Sequence, residues 1–180
     1  MKKFILGKKL EMSQIFKDDG TVIPVTVIQA GPVEVSQVKG KEKDGYEAVQ
    51  VAFGKTRKEF RTEDSFEKGA KIDVSVFAEG DLVKVSGTMK GRGFQGVVKR
   101  HGFKGAPKTH GVKHAHREPG SIGAVWPQRV LKGTRMGGRM GGTRITVENL
   151  MVAKVDTDKN LLYVRGAVPG ARGTLLEISA

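Results

Sequence analysis

The chain has 180 residues, no Cys and 38% apolar residues, below the ~45–50% usual for a globular domain, a range that also counts Gly; this allows one domain with a modest core and excludes a disulfide framework or a thiolate metal site. With 32 Lys and Arg against 19 Asp and Glu, the formal net charge is +13 and the pI about 10.0, so a polyanionic partner is expected, with an anionic membrane surface or merely solubilising charge as rivals. No stretch approaches the ~20 apolar residues of a membrane helix, and the basic start Met1–Gly7 runs into Lys8 and Lys9 after three apolar residues, too few for a signal peptide.

Met12–Phe16 and Thr21–Ile28 read as strands joined by the turn signal Asp18-Asp19-Gly20. Val33–Lys39 and Tyr46–Phe53 follow, joined by a polar loop ending Asp44-Gly45; Val49, Val51 and Phe53 alternate with Ala48, Gln50 and Ala52, the pattern of a half-buried strand. Lys58–Thr62 is a weaker strand. Lys71–Phe77 puts Ile72, Val74 and Val76 on one face, and Leu82–Ser86 follows. A short helix is predicted from Phe94, Val97, Val98 and His101 at i, i+3, i+4 and i+7, with Gly102 where a C-terminal cap belongs. Beyond it no apolar period is found until Arg144–Val147 and Leu150–Val155. A turn at Asp156–Asn160, the strand Leu161–Arg165, a type II turn at Pro169-Gly170 and the strand Leu175–Ser179 close the chain. Many short strands with turn signals indicate a mainly β barrel or sandwich.

The cationic excess sits in one stretch. Residues 88–142 hold twelve Lys and Arg against the single acid Glu118, together with all four His and 13 of the 25 Gly. The rest of the chain is close to neutral. A loop this long inside a compact domain is usually functional or disordered. Phe103, Ile122, Val125, Trp126, Val130 and Leu131 speak against a solvated tail and for an extension that takes its order from RNA. The chain therefore divides into a β body at 1–87 and 143–180, a glycine motif with a short helix at 88–102, and an extended basic loop at 103–142.

Gly91-Arg92-Gly93-Phe94-Gln95-Gly96 matches the dinucleotide pattern G-x-G-x-x-G. The surrounding βαβ unit is missing, so a nucleotide enzyme is rejected. The same glycines and a helix N-terminus, with Lys90 and Arg92 beside them, suit a nucleic-acid phosphate. His110, His114 and His116 lack a Cys or second carboxylate for metal, and fit base or phosphate contacts better. No catalytic nucleophile or carboxylate pair is evident. Trp126, the only Trp, is either a local hydrophobic plug or an RNA stacking group. Arg135-Met136-Gly137-Gly138-Arg139-Met140-Gly141-Gly142 combines forked donors with glycines that let backbone lie on backbone.

Several segments occur in a recognisable order: Gly7-Lys8-Lys9-x-x-Met12-x-x-Ile15-Phe16, Pro24–Ile28, Gly45–Val51, Gly91–Arg100, Thr109-His110-Gly111, Pro119–Gly123, Arg139-Met140-Gly141 and Gly166–Gly170. In this order, over nearly the whole chain, they resemble the bacterial branch of universal ribosomal protein family three, large ribosomal subunit protein three. The resemblance implies a six-stranded barrel of the translation-protein type, with added short strands, one short helix and a long extended loop. It also implies a structural, non-enzymatic constituent of the cytoplasmic ribosome. Such a protein would bind near the 3′ end of 23S rRNA, nucleate large-subunit assembly and extend a loop toward the peptidyl transferase centre, with Trp126-Pro127 at its apex. Large-subunit proteins fourteen and nineteen are the expected neighbours, and no cofactor, metal, membrane or small-molecule substrate is expected. The residues expected at RNA are Lys8, Lys9, Lys90, Arg92, Lys99, Arg100, Lys104, Lys108, His110, Lys113, His114, His116, Arg117, Trp126, Arg129, Lys132, Arg135, Arg139 and Arg144.

Overall fold

A computed structural model describes residues 3–62 and 64–180; Met1 and Lys2 of the basic start lie outside the described residues. The chain divides into two compact units, residues 1–89 with 144–180, and residues 90–143.

In the first unit, β1 (Phe4–Phe16) and β2 (Val22–Ala30) form the expected hairpin, but β1 begins eight residues earlier than its apolar pattern suggested. Its first half is fixed by a partner remote in sequence, since Phe4 to Lys8 pair with Ser179 to Leu175. At the turn Gly20 takes φ 79° and Asp19 accepts the Thr21 N–H at 2.8 Å, which holds the Asp19 carboxyl below the usual carboxylate range. Next come β3 (Val33–Lys39), a helical turn α1 (Lys41–Asp44), β4 (Ala48–Phe53) and β5 (Thr56–Phe60). The sequence had read α1 as loop; Gly45, at φ 79°, closes it.

The strand expected over Lys71–Phe77 is shorter. Only β6 (Lys71–Ile72) is strand, and Val74–Val76 forms a 3₁₀ turn. Val74 and Phe77 are buried while Val76 is exposed, so the apolar spacing here is three, the repeat of a 3₁₀ turn, and not two. β7 (Leu82–Thr88) leads to the second unit, whose elements are β8 (Phe94–Gln95), α2 (Val97–His101) and β9 (Gly138–Arg139). The first unit resumes with β10 (Arg144–Asp156), β11 (Leu161–Arg165) and β12 (Leu175–Ser179). β10 unites two predicted strands. Its ladder shifts register between Val147 and Leu150, where Asn149 takes φ 57°, and this irregularity is what the sequence pattern showed as a break.

β1, β12, β7, β10, β11 and β2 pair in that order, all antiparallel, and β2 pairs back onto β1, so the ring of pairing has no free edge. A second sheet runs β5-β4-β3-β6. Inward residues of both sheets share one core, including Ile5, Leu6, Ile28, Val35, Val51, Val85, Leu162, Leu176 and Ile178. Phe4 stacks on Phe60 at 4.6 Å between ring centroids and leans on Phe66 at 5.4 Å, which ties the start of β1 to the second sheet. The chain leaves this unit after Met89 and re-enters at Arg144, and Thr88 and Arg144 face each other across β7 and β10.

Candidate nucleic-acid interface

The second unit has almost no core. Val97 is the only buried side chain in residues 90–143. Backbone pairing holds its two ends together: β8 pairs with β9 through Phe94 with Arg139 and Gln95 with Gly138. Arg92 N–H donates to Met140 O and Met140 N–H to Gly93 O, each at 2.9 Å. Glycine makes this approach possible, because a Cβ at Gly141, itself at φ 78°, would strike the Lys90 carbonyl.

α2 has only five residues, and Gly102, at φ 73°, ends it as expected. It is too short to provide the helix N-terminal anion site anticipated from the glycine motif. Phe94, expected on its apolar face, lies in β8 instead and is 79% exposed. Two side chains of α2 hold the returning limb: Arg100 Nη1 donates to Met136 O at 2.8 Å, and His101 Nε2 bonds the same oxygen at 3.0 Å. Further out, Ala106 N–H donates to His116 O at 3.1 Å and His116 Nδ1 lies 3.2 Å from Pro107 O, closing residues 106–116 on themselves.

Most of the sequence-predicted residues of this unit face solvent. Lys90, Arg92, Lys99, Lys104, Lys108, His110, Lys113, His114, Arg117, Trp126, Arg129, Lys132, Arg135 and Arg139 are exposed, whereas Arg100 and His116 are half-buried. Every residue from 117 to 135 is exposed, Trp126 included at 78%. Ion pairs among the described residues include Lys3–Asp81, Lys39–Glu59, Lys58–Glu177 and Arg144–Glu177, and none of these involves residues 90–143. Twelve cations and one carboxylate thus share a small unit without internal neutralisation. No cluster of three or more His, Cys, Asp or Glu suited to a metal is found among the described residues.

The three predicted residues in the first unit behave differently. Lys8 is exposed on β1. Lys9 donates to Val168 O at 2.9 Å and Gly170 O at 3.1 Å, which makes it a strut for the Pro169-Gly170 turn. Arg144 pairs with Glu177, which also meets Lys58 at 3.2 Å. Burial raises the Glu177 carboxyl, but hydrogen bonds from Arg144 and Lys58 outweigh it and leave the group below the usual carboxylate range. Sequence reading gave no sign of this cluster, because its members stand on β5, β10 and β12.

A family model described as ribosomal protein L3 matches residues 8–161. The chain belongs to the ribosomal protein L3 family. It is 50% identical to the large ribosomal subunit protein uL3 of Corynebacterium urealyticum, over 98% of this chain and 93% of that protein. It is 47% identical to the uL3 of Streptococcus pyogenes serotype M5, over 100% of this chain and 97% of that protein. Membership of the L3 family makes the chain a structural ribosomal protein and not an enzyme, which disposes of the dinucleotide reading of Gly91–Gly96.

Proposed function

We propose that the chain is a structural constituent of the large ribosomal subunit in the bacterial cytoplasm, and that it binds ribosomal RNA through residues 90–143. The observation that carries this reading is the set of twelve Lys and Arg, largely solvent-facing and free of ion pairs, around a single Glu118. Such a unit gains by releasing the counterions of a phosphate backbone. Arg supplies forked donors to phosphate oxygens, and the exposed Trp126 offers a stacking face to an unpaired base. The glycines keep side chains from holding the two backbones apart.

Family membership supports a finer reading. The closed ring of six strands is then the translation-protein-type barrel, a body for the RNA-directed insert. The chain binds near the 3′ end of 23S rRNA and nucleates subunit assembly. Trp126-Pro127 points toward the peptidyl transferase centre, and large-subunit proteins fourteen and nineteen are neighbours. Lys8 and the exposed cations of residues 90–143 are the contacts proposed to position the RNA. Lys9 and Arg144 are engaged with the fold, Lys9 by two backbone carbonyls and Arg144 by Glu177.

Photo-crosslinking of this chain within assembled large subunits tests the reading. Crosslinks from positions across 104–135 to 23S rRNA nucleotides are expected. Crosslinks that come only from the first unit, with none from 104–135, would refute it.

A further inference from the structure

Phe94 was not among the residues expected to meet RNA, yet it has the most unusual position in the second unit. It is 79% exposed on a segment held by backbone pairing on both sides. Arg139 is its directly opposed partner across the β8–β9 ribbon, and directly opposed residues of an antiparallel pair project from the same face. The opposite face of the ribbon is covered, because a Cβ at Gly138 would lie 2.7 Å from the Arg100 guanidinium. On the open face, a Cβ at Gly137 would lie 3.3 Å from Phe94 Cε1, so the ring rests beside bare backbone. The Arg139 guanidinium lies near Gly142, where a Cβ would be 3.5 Å from Nη2. It is exposed and has no acidic partner among the described residues. Lys90 and Arg92 stand in the same paired segment.

An aromatic ring toward Gly137 and an uncompensated guanidinium toward Gly142, on one face of the ribbon, fit one nucleotide of a single strand, with its base on the ring and its phosphate on the cation. We infer that Phe94 and Arg139 form a stacking subsite for an unpaired nucleotide of ribosomal RNA. This rests on the RNA-binding reading above and adds to it a specific residue pair and a specific contact. The charge around the ring selects this occupant over an apolar side chain of a neighbouring protein.

The test uses the full chain and a 23S rRNA fragment in equilibrium binding across a salt series. Phe94→Ala should weaken binding about 5- to 150-fold without changing the slope of log affinity against log salt, because no charge is lost. Phe94→Leu should weaken it similarly, since Leu keeps apolar area but has no π-face, while Phe94→Trp should bind as the natural chain does. Arg139→Gln should lower the slope by about one. In a Trp126→Phe, Phe94→Trp double variant, the single indole should be quenched when RNA saturates the protein. Natural affinity in Phe94→Ala or Phe94→Leu, or an unquenched indole, overturns the inference and leaves the parent reading intact. If the natural chain shows no salt-dependent binding, the parent reading falls and this inference with it.

Discussion

Replacing residues 104–134 by a short Gly-Ser bridge isolates the contribution of the outer part of the insert. The ends can be joined, because Arg100 and His101 both reach the Met136 carbonyl within 3.0 Å. The replacement removes Lys104, Lys108, Lys113, Arg117, Arg129 and Lys132, six of the twelve cations, and leaves every strand pairing in place. If about half of the cations in each form meet phosphate, the natural chain makes about six such contacts and the variant about three. At about −0.7 per contact the slopes of log affinity against log salt are about −4 and −2. Between 50 and 200 mM salt the natural chain should lose roughly 250-fold in affinity and the variant roughly 15-fold. Filter binding to a 23S rRNA fragment over a potassium chloride series reads both lines. Parallel lines for the two proteins would refute the reasoning, since the removed cations would then meet no phosphate.

Gly7→Ala should destabilise the first unit, because its Cβ would lie 2.7 Å from Ile28 Cγ2 and 2.8 Å from the Gln29 carbonyl; overpacking of about 1–3 kcal/mol corresponds to a fall in Tm of roughly 3–10 °C by calorimetry. Trp126→Ala should leave the melting of the isolated chain unchanged, because the side chain is 78% exposed; it should instead impair late subunit assembly or peptide-bond formation, read by sucrose-gradient profiles and a peptidyl-transfer assay, and a large loss of Tm would place Trp126 in a core. The depressed Glu177 carboxyl contributes stability that is fully present above its ordinary value of 4.5 and is lost as pH falls through the lower folded value. Denaturant titrations of Glu177→Gln against the natural chain should therefore differ at pH 7, with the gap closing as pH falls below 4.5; a gap that persists undiminished in acid would assign the effect to packing.

The parts of the fold that were legible are those set by local chemistry. β3, β11 and β12 begin and end where their apolar runs and turn residues placed them. Gly20, Gly45, Gly102 and Gly170 all adopt the positive φ that their turn or cap positions required. What was not legible depends on remote partners. The first half of β1 is strand because β12 lies beside it, and β8 and β9 are two residues each, joined across 42 intervening residues. The same division runs through the site. The cationic stretch could be found by counting charges, but the engagement of Lys9 with two carbonyls and of Arg144 with Glu177 could not. Phe94 was misplaced because its i, i+3, i+4, i+7 spacing matched a helix, whereas Gly93 turns the chain at φ 65° and Gly96 is extended, so the helix begins only at Val97.

Residues 90–143 cannot hold a single shape by apolar burial of their own. Fixing each backbone residue costs about 1–2 kcal/mol, while one buried Val returns only about 1.5–3 kcal/mol, and Val97 is the only buried side chain there. Charge makes this worse, since twelve cations with one carboxylate repel one another as the unit compacts. The ribbon, the capped turn of α2 and the bonds to Met136 O fix the root of the segment, where the backbone can pair with itself. Beyond the root, residues 117–135 offer exposed Arg, Lys and Trp with no ion pair. Under the proposed function a polyanion would supply both missing terms: its charge would cancel the repulsion, and its bases would cover the apolar groups. A composition that would be a defect in a free-standing domain thus becomes consistent once nucleic acid is counted as part of the folded state.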